Sequence, residues 1–428
     1  MPILSLYDIY NAHHRIAPYI LHTPLQHSAL LSAQLGCDVW LKMENRQHTG
    51  SFKPRGALNK IMSLSDAERS RGIVAASAGN HALGVAHAAK MLNLPKTDVF
   101  VQANAAPAKI AKLQLYPVNL HLAGQTFEEA QQAALAHAAL TGATFVSAYD
   151  DVDVIAGQGT VGLEIMQALP DADTIVVPIG GGGLIAGTAI AAKTIRPSIR
   201  IIGVNPEASP SAYLSRRDGV AYDPYDHGPT LAHGLAGGFG RVPFAVGMML
   251  IDDIVLVSED EMKRGIAALI DSDQVLLEAS GAASVAAVLA DKIKDAGKCV
   301  VVLSGGNIDV DTLRSVLSVN EYAPNQRISS TNETANQRIR SKQIKKTVPV
   351  PLPKLSPEAR REWLKQRPGQ VETPNDSITY QLNGLAFNIH NDLGPGHRES
   401  TYHDAFAAKL AKADLAFLDE PEIIVELE

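Results

Sequence analysis

The chain of 428 residues has only two cysteines, Cys37 and Cys299, far apart and in no metal-ligand spacing. That excludes a disulfide scaffold and suits a reducing compartment. Strong charge of either sign is also missing. A formal net charge of −7 is too mild to suggest nucleic-acid contact over the whole chain. No apolar run approaches the ~20 residues that span a bilayer. The opening residues, Met1 to Asp8, carry no basic stretch and no long apolar core, so no secretory signal is expected. These absences predict a cytoplasmic protein without membrane contact. The remaining composition, 46% hydrophobic and 19% charged, is ordinary for a globular protein long enough for two or three domains.

What is present is alternation. Short apolar runs recur at Asp38–Glu44, Gly72–Ala76, Asp98–Val101, Val118–Leu122, Thr144–Val146, Asp173–Pro178, Arg200–Val204 and Cys299–Leu303. Helix-length segments separate them, among them Leu6–Ile16, Ala82–Met91, Pro107–Leu115, Thr126–Thr141, Gln158–Leu169 and Ile185–Lys193. Buried strands of four to six residues alternating with helices predict an α/β fold of parallel sheets covered on both faces.

Four stretches carry chemistry. In Gly50-Ser51-Phe52-Lys53-Pro54-Arg55-Gly56-Ala57 a lysine stands at the start of a helical run, where the helix dipole disfavours it. A lysine kept from solvent loses its proton readily and becomes an amine nucleophile, although an ordinary structural lysine fits the stretch as well. Ser77-Ala78-Gly79-Asn80-His81 joins a buried strand to a helix, the usual place for a ligand in an α/β sheet. Gly180-Gly181-Gly182-Gly183-Leu184 follows another buried strand and opens a helix. Its bare N–H groups at the positive helix end read as a phosphate cradle, or as a mere turn. No Gly-Lys-Ser/Thr follows and the glycine spacing is not that of a dinucleotide fold, so neither a P-loop nor a dinucleotide site is indicated. Ser304-Gly305-Gly306-Asn307 closes a further strand, where a hydroxyl could face a heteroaromatic ring nitrogen or simply end the strand.

An amine, a phosphate cradle, an Asn-bearing turn and a ring-nitrogen partner are the handles of pyridoxal phosphate. In their order and approximate spacing, over residues ~1–320, these motifs resemble the threonine/serine dehydratase and serine racemase group of fold type II pyridoxal-phosphate enzymes. The resemblance implies two parallel-sheet α/β subdomains of the tryptophan synthase β type, with the cofactor between them. It implies that Lys53 anchors the cofactor as a Schiff base and later takes the substrate Cα proton, and that Phe52 packs against the ring. Asn80 would bond the ring 3-hydroxyl. Ser77 and the backbone of Ala78, Gly79, Asn80 and His81 would receive the carboxylate of an amino-acid substrate. Gly180, Gly181, Gly182, Gly183 and Leu184 would hold the phosphate, Ser304 the ring nitrogen, and Glu278 would lie near the ring. A serine at the ring nitrogen cannot keep it protonated, which favours β-elimination over transamination. The family also suggests a homodimer.

Departures from the family refine the expectation. Eukaryotic-type serine racemases have a second serine before Gly-Asn-His; Ala78 stands there, which favours dehydration over racemisation. The family's divalent-metal site often begins with a glutamate after Gly-Val, but Asn205 follows Gly203-Val204, with Ser209 and Ser211 at later positions of that site, so no metal is expected even with Glu207 nearby. His233 replaces a common aspartate and is read as structural.

After Asn320 apolar periodicity ends. Residues 321–376 read as a tether, with Asn-Gln-Arg-Ile appearing twice and a basic run from Arg338 to Lys346. Residues 377–428 resemble the start of a GxxExxY domain through Gly396, Glu399 and Tyr402. That family is related to PD-(D/E)xK nucleases, whose metal site needs a further Glu-x-Lys element; no lysine follows Lys412, and an inactive appendage is expected. The expected function is therefore an L-threonine/L-serine ammonia-lyase. Alternatives are a serine racemase, a lyase of another β-hydroxy amino acid, and, in a different class, a nucleic-acid or protein interaction module carried by the C-terminal segment.

Overall fold

The structure, a computed structural model, describes residues 4–318; the readings of 321–376 and 377–428 fall outside the described residues. Among the described residues ten strands form two sheets. The larger sheet runs in the order β1 (Leu25–His27), β2 (Val39–Lys42), β10 (Cys299–Val302), β7 (Thr174–Pro178), β8 (Arg200–Pro206) and β9 (Asp253–Val257). The smaller one runs β5 (Asn119–Leu122), β4 (Thr97–Val101), β3 (Ile73–Ala76) and β6 (Thr144–Phe145). Every pair is parallel except β1 with β2 at one edge, which departs from the all-parallel expectation. A three-residue edge strand followed by a short helix and return can pair antiparallel without a crossover, which is why periodicity missed it.

Alternation along each central strand divides the apolar residues between two faces. From β10 and the residue after it, Cys299, Val301 and Leu303 enter one core with Val285, Ala286 and Leu269, whereas Val300 and Val302 enter the other with Ile175, Val177 and Ile185. From β3, Ile73 and Ala75 pack on one side and Val74 and Ala76 on the other. All four residues of β3 and of β10 are buried, as expected of parallel strands covered on both faces. Helix starts follow local chemistry. Ser5, Ser65 and Ser258 each form a reciprocal cap with an acidic residue three positions on, and Asp151 accepts from Asp153 and Val154, starting its helix six residues before the expected Gln158.

Two helices cross with almost no side chain between them. A Cβ built on Gly187, in helix Gly183–Ile195, would lie 2.4 Å from the Ile155 carbonyl oxygen and 2.6 Å from the Gly159 nitrogen of helix Val152–Ala168. One on Gly162 would lie 2.8 Å from Thr188 Cα. The glycines are therefore required for this close approach.

Register places the loops that carry chemistry. β10 pairs with β7 (Val301 opposite Val176) and with β2 (Val302 opposite Lys42). The segments after Pro178, Val302 and Lys42 thus emerge side by side beyond the carboxyl ends of their strands. β3 of the smaller sheet delivers Ser77 to His81 from its own carboxyl end.

Candidate active site

Beyond β2 a 3₁₀ turn, Glu44–Arg46, leads to Thr49-Gly50-Ser51, where Ser51 bridges to Gly305. Phe52 N–H donates to the Ser304 carbonyl (3.2 Å), and Gly306 N–H to the Gly50 carbonyl (2.9 Å). The first and last motifs of the sequence are therefore one hydrogen-bonded strip. Lys53 is the first residue of helix Lys53–Ser63, at the start of the helical run read from the sequence. A Cβ on Gly84 would lie 3.0–3.1 Å from the Lys53 backbone and Cβ, so helix Asn80–Met91 approaches the lysine directly.

The Lys53 side chain reaches across the cleft. Nζ donates to the Ala148 carbonyl (2.9 Å) and lies 5.0 Å from the Phe52 ring centroid. Loss of solvent lowers its pKa to about 8, against a smaller opposite pull from Glu278. The same burial, followed by the charge of Lys53, pushes His81 down to about 3. His81 is therefore neutral, and because a carbonyl can only accept, its Nε2 carries the proton donated to Val146 O (2.9 Å). Burial raises the carboxyl of Glu278, opposed first by the Asn80 amide. Asn80 Nδ2 donates to Glu278 Oε1 at 2.5 Å.

Opposite the lysine, the four glycines turn from β7 into helix Gly183–Ile195. Gly182 has φ +93°, a conformation strained for other residues. A Cβ on Gly180 would meet the Gly234 carbonyl oxygen at 2.6 Å, and one on Gly181 the Tyr149 ring at 2.1 Å. Among the described residues no acceptor meets the N–H groups of Gly180, Gly181 or Gly182. A turn of free donors at the N-terminus of a 13-residue helix suits a phosphate.

The cleft thus gathers Phe52, Lys53, Asn80, Gly180 to Leu184, Glu278 and Ser304, ten of the expected site residues. Ser77, Ala78, Gly79 and His81 flank Asn80 without lining it; there Gly79 N–H donates to Ser77 Oγ (3.0 Å). Sequence reasoning missed Ala148, Tyr149, Pro178, Gly234, Leu235 and Ser280 on the lining. Position was the usable signal for Ala148 and Tyr149, which follow the carboxyl end of β6. Nothing marks Gly234 and Leu235. Tyr149 hydroxyl donates to Asp223 (3.1 Å), which holds the ring against the glycine turn. Ser304 is buried, with only a long bond to the Ser280 carbonyl (3.4 Å), so its hydroxyl is available. A wider groove lined by Met62, Asp66, Arg69 and Asn93 brings together no buried nucleophile and no glycine turn.

Of the positions considered for a metal, Asn205 and Ser209 have other partners, whereas the Ser211 hydroxyl is buried without one. Asn205 Nδ2 donates to the Ile179 carbonyl (2.9 Å) and its Oδ1 accepts from Tyr213 N–H (3.1 Å). Ser209 Oγ is bonded to both the N–H and the carbonyl of Gly237. His233 is exposed beside the Gly234 turn.

The donor set fits pyridoxal phosphate: an amine for its aldehyde, free N–H groups for its phosphate, and a hydroxyl and an amide for its ring. Comparison with known proteins agrees. Residues 16–305 match the family described as pyridoxal-phosphate dependent enzyme, and the chain belongs to that family. It is 45% identical over 319 residues to an L-threonine ammonia-lyase of Thermotoga maritima, covering 74% of this chain and 79% of the relative. It is 41% identical to the catabolic L-threonine dehydratase TdcB of Escherichia coli, covering 73% and 96%. Among solved structures, the processed form of threonine deaminase isoform 2 from Solanum lycopersicum superposes with a TM-score of 0.68 at 36% identity, covering 73% and 86%. Maize serine racemase does so at 0.69 and 33%, covering 74% and 97%. Residues 376–428, outside the described part, match a family described as PD-(D/E)XK nuclease superfamily.

Proposed function

We propose that this chain is a pyridoxal-phosphate dependent L-threonine ammonia-lyase that also accepts L-serine, releasing a 2-oxo acid and ammonia. The observation that carries the reading is the Lys53 amine, held near pKa 8 across a cleft from a glycine turn with free N–H groups. When bound, pyridoxal phosphate supplies the electron sink that makes the substrate Cα proton removable and lets a β-hydroxyl leave. Lys53 would anchor the cofactor and would serve as the base at the substrate Cα, since its neutral form is well populated at mildly alkaline pH. Gly180 to Leu184 hold the phosphate, and Phe52 and Tyr149 wall the cleft against water. Ser304 offers the ring nitrogen a hydroxyl, which can bond it but is too weak an acid–base partner to keep it protonated. Ser77 and the N–H groups of Ala78, Asn80 and His81 would offer donors to the substrate carboxylate, with the neutral His81 ring adding no charge there.

Serine racemase is the second reading, favoured by the structural likeness to the maize enzyme. Ala78 speaks against it, because a methyl group cannot return a proton to the opposite face of Cα. We place catalysis in residues 1–320, with 321–376 as a tether and 377–428 as an appendage outside the reaction, in a cytoplasmic homodimer. The paucity of cysteine supports the compartment, and Cys37 and Cys299 are free thiols. Among the described residues no helix is long and apolar enough to cross a membrane.

An absorbance scan of the purified full chain, followed by L-threonine or L-serine with 2-oxo acid detection, tests the function. A visible cofactor band with 2-oxo acid release is expected. A band with no 2-oxo acid from either substrate overturns the lyase. No band after adding pyridoxal phosphate overturns the site. Light scattering on the same sample reads the dimer.

A further inference from the structure

The Thr49 carbonyl, Asn307, Asn80 and Glu278 form one chain of hydrogen bonds that ends in the cleft. Asn307 Nδ2 donates both to the Thr49 carbonyl (2.7 Å) and to Asn80 Oδ1 (2.8 Å), and Asn80 Nδ2 donates onward to Glu278 Oε1 (2.5 Å). Two glycines make room for it. A Cβ on Gly50 would lie 3.0–3.2 Å from the Asn307 amide, at a backbone φ of +75°. One on Gly305 would lie 2.2 Å from Glu278 Oε1 and 3.2 Å from Asn80 Nδ2.

The polarity of this chain is fixed from its outer end. A backbone carbonyl can only accept, so Asn307 must turn its NH₂ group toward Thr49. That same group faces Asn80, so Asn80 must turn its oxygen toward Asn307. Its NH₂ group is then left to point into the cleft, whatever the protonation of Glu278. An isolated asparagine could present either end to a ligand at little cost; this one cannot.

We propose that Asn307 is a positioning residue that sets Asn80 as a hydrogen-bond donor, never an acceptor, toward the oxygen substituent of the cofactor ring. The proposal rests on the pyridoxal-phosphate reading of the cleft. A carboxylate at 307 removes the donor, repels the Thr49 carbonyl and attracts the Asn80 NH₂ group, so Asn80 turns its oxygen inward against an electron-rich ring oxygen.

The test uses apoprotein of the full chain titrated with pyridoxal phosphate, reading the dissociation constant and the position and pH dependence of the visible band. Asn307→Asp is expected to weaken binding roughly 10- to 100-fold and to move the band, because a donor is replaced by an opposed acceptor. Asn307→Gln keeps the amide and is expected to recover most of both. In an Asn80→Ala background, Asn307→Asp is expected to have less than about a threefold further effect, since coupled residues are not additive. Far-UV circular dichroism confirms folding; if Asn307→Asp is unfolded, Asn307→Ala is read instead and should weaken binding several-fold with a shifted band. Binding and band unchanged in Asn307→Asp, while Asn80→Ala weakens them, overturn the relay and leave the site standing. Equal losses from Asn307→Asp with and without Asn80 also overturn it. Unchanged cofactor binding in Asn80→Ala overturns the placement of Asn80, and the relay with it.

Discussion

Two cations, Arg55 fully buried and Lys53 half-buried in the cleft, stand two residues apart on the same helix and have opposite fates. Arg55 is fully buried and paired on both sides: Nε and Nη2 donate to Glu44 (2.8 and 2.9 Å), while Nη1 and Nη2 donate to Glu164 (2.7 and 2.9 Å). Lys42 also donates to Glu164, and Thr23 to Glu44. At Arg55 and Glu164 the partners outweigh burial, which alone would favour the neutral forms. The guanidinium is raised, and Glu164 is held down at about 2. Lys42, the weaker cation in the quartet it forms with Glu44, Arg55 and Glu164, is still lowered by burial. Lys53 has only a carbonyl and the more distant Glu278, and its pKa falls. Burial with matched charges locks a helix in place, whereas burial without them makes a reagent.

Removing each cation should therefore have opposite effects on the fold. Lys53→Met is expected to lower turnover at least about a thousandfold and to abolish the visible band, through loss of the base and anchor. The apoprotein should nevertheless gain roughly 1–2 kcal/mol at neutral pH, because a lowered lysine pKa penalises the folded state below about 8. Urea unfolding against pH checks the sign: the gain should shrink as pH rises from about 8 toward the ordinary 10.5. Arg55→Met is expected to cost about 3–5 kcal/mol by leaving buried Glu44 without its cation and Glu164 with Lys42 alone, measured in the same titration. The wild-type quartet should weaken in acid. A depressed carboxylate contributes stability above its ordinary 4.5 and loses it as pH falls toward about 2.

Glu278→Gln sharpens the comparison on the reactive side. It removes the carboxylate that pulls Lys53 upward, so the midpoint for acylation of the Lys53 amine in apoprotein should move below about 8. Turnover should fall roughly tenfold, on the scale of one lost charge interaction. The smallest effect is expected at Ala78→Ser: a few-fold change in 2-oxo acid release, with D-serine formation from L-serine newly detectable by chiral chromatography. No D-serine would show that a hydroxyl at 78 is not sufficient for racemisation.

The sequence carried most of the site because its chemistry sits in contiguous motifs at strand ends. Lys53, Asn80, Gly180 to Leu184 and Ser304 each follow an apolar run, and position after a buried strand is a physical signal. The quartet was not legible. Lys42, Glu44 and Glu164 are ordinary charged residues in sequence, and only β2 beside the helix of Glu164 makes them neighbours. Gly234 and Leu235 reach the cleft from a long loop without periodicity, and Tyr149 needed its contact with Gly181 to be seen. The antiparallel β1 was too short to show an alternation.

The helix crossing at Gly159, Gly162 and Gly187 bears on how this enzyme could be engineered. Glycine-to-alanine exchange inside helices is a routine way to raise thermal tolerance, because it narrows the unfolded ensemble. Here the glycines that such a scan would choose first are the ones that let two helices touch backbone to backbone. A methyl group at 187 would push outward the helix that follows the glycine N–H groups proposed for the phosphate. The damage would register in cofactor retention, a full helical turn away from the altered residue.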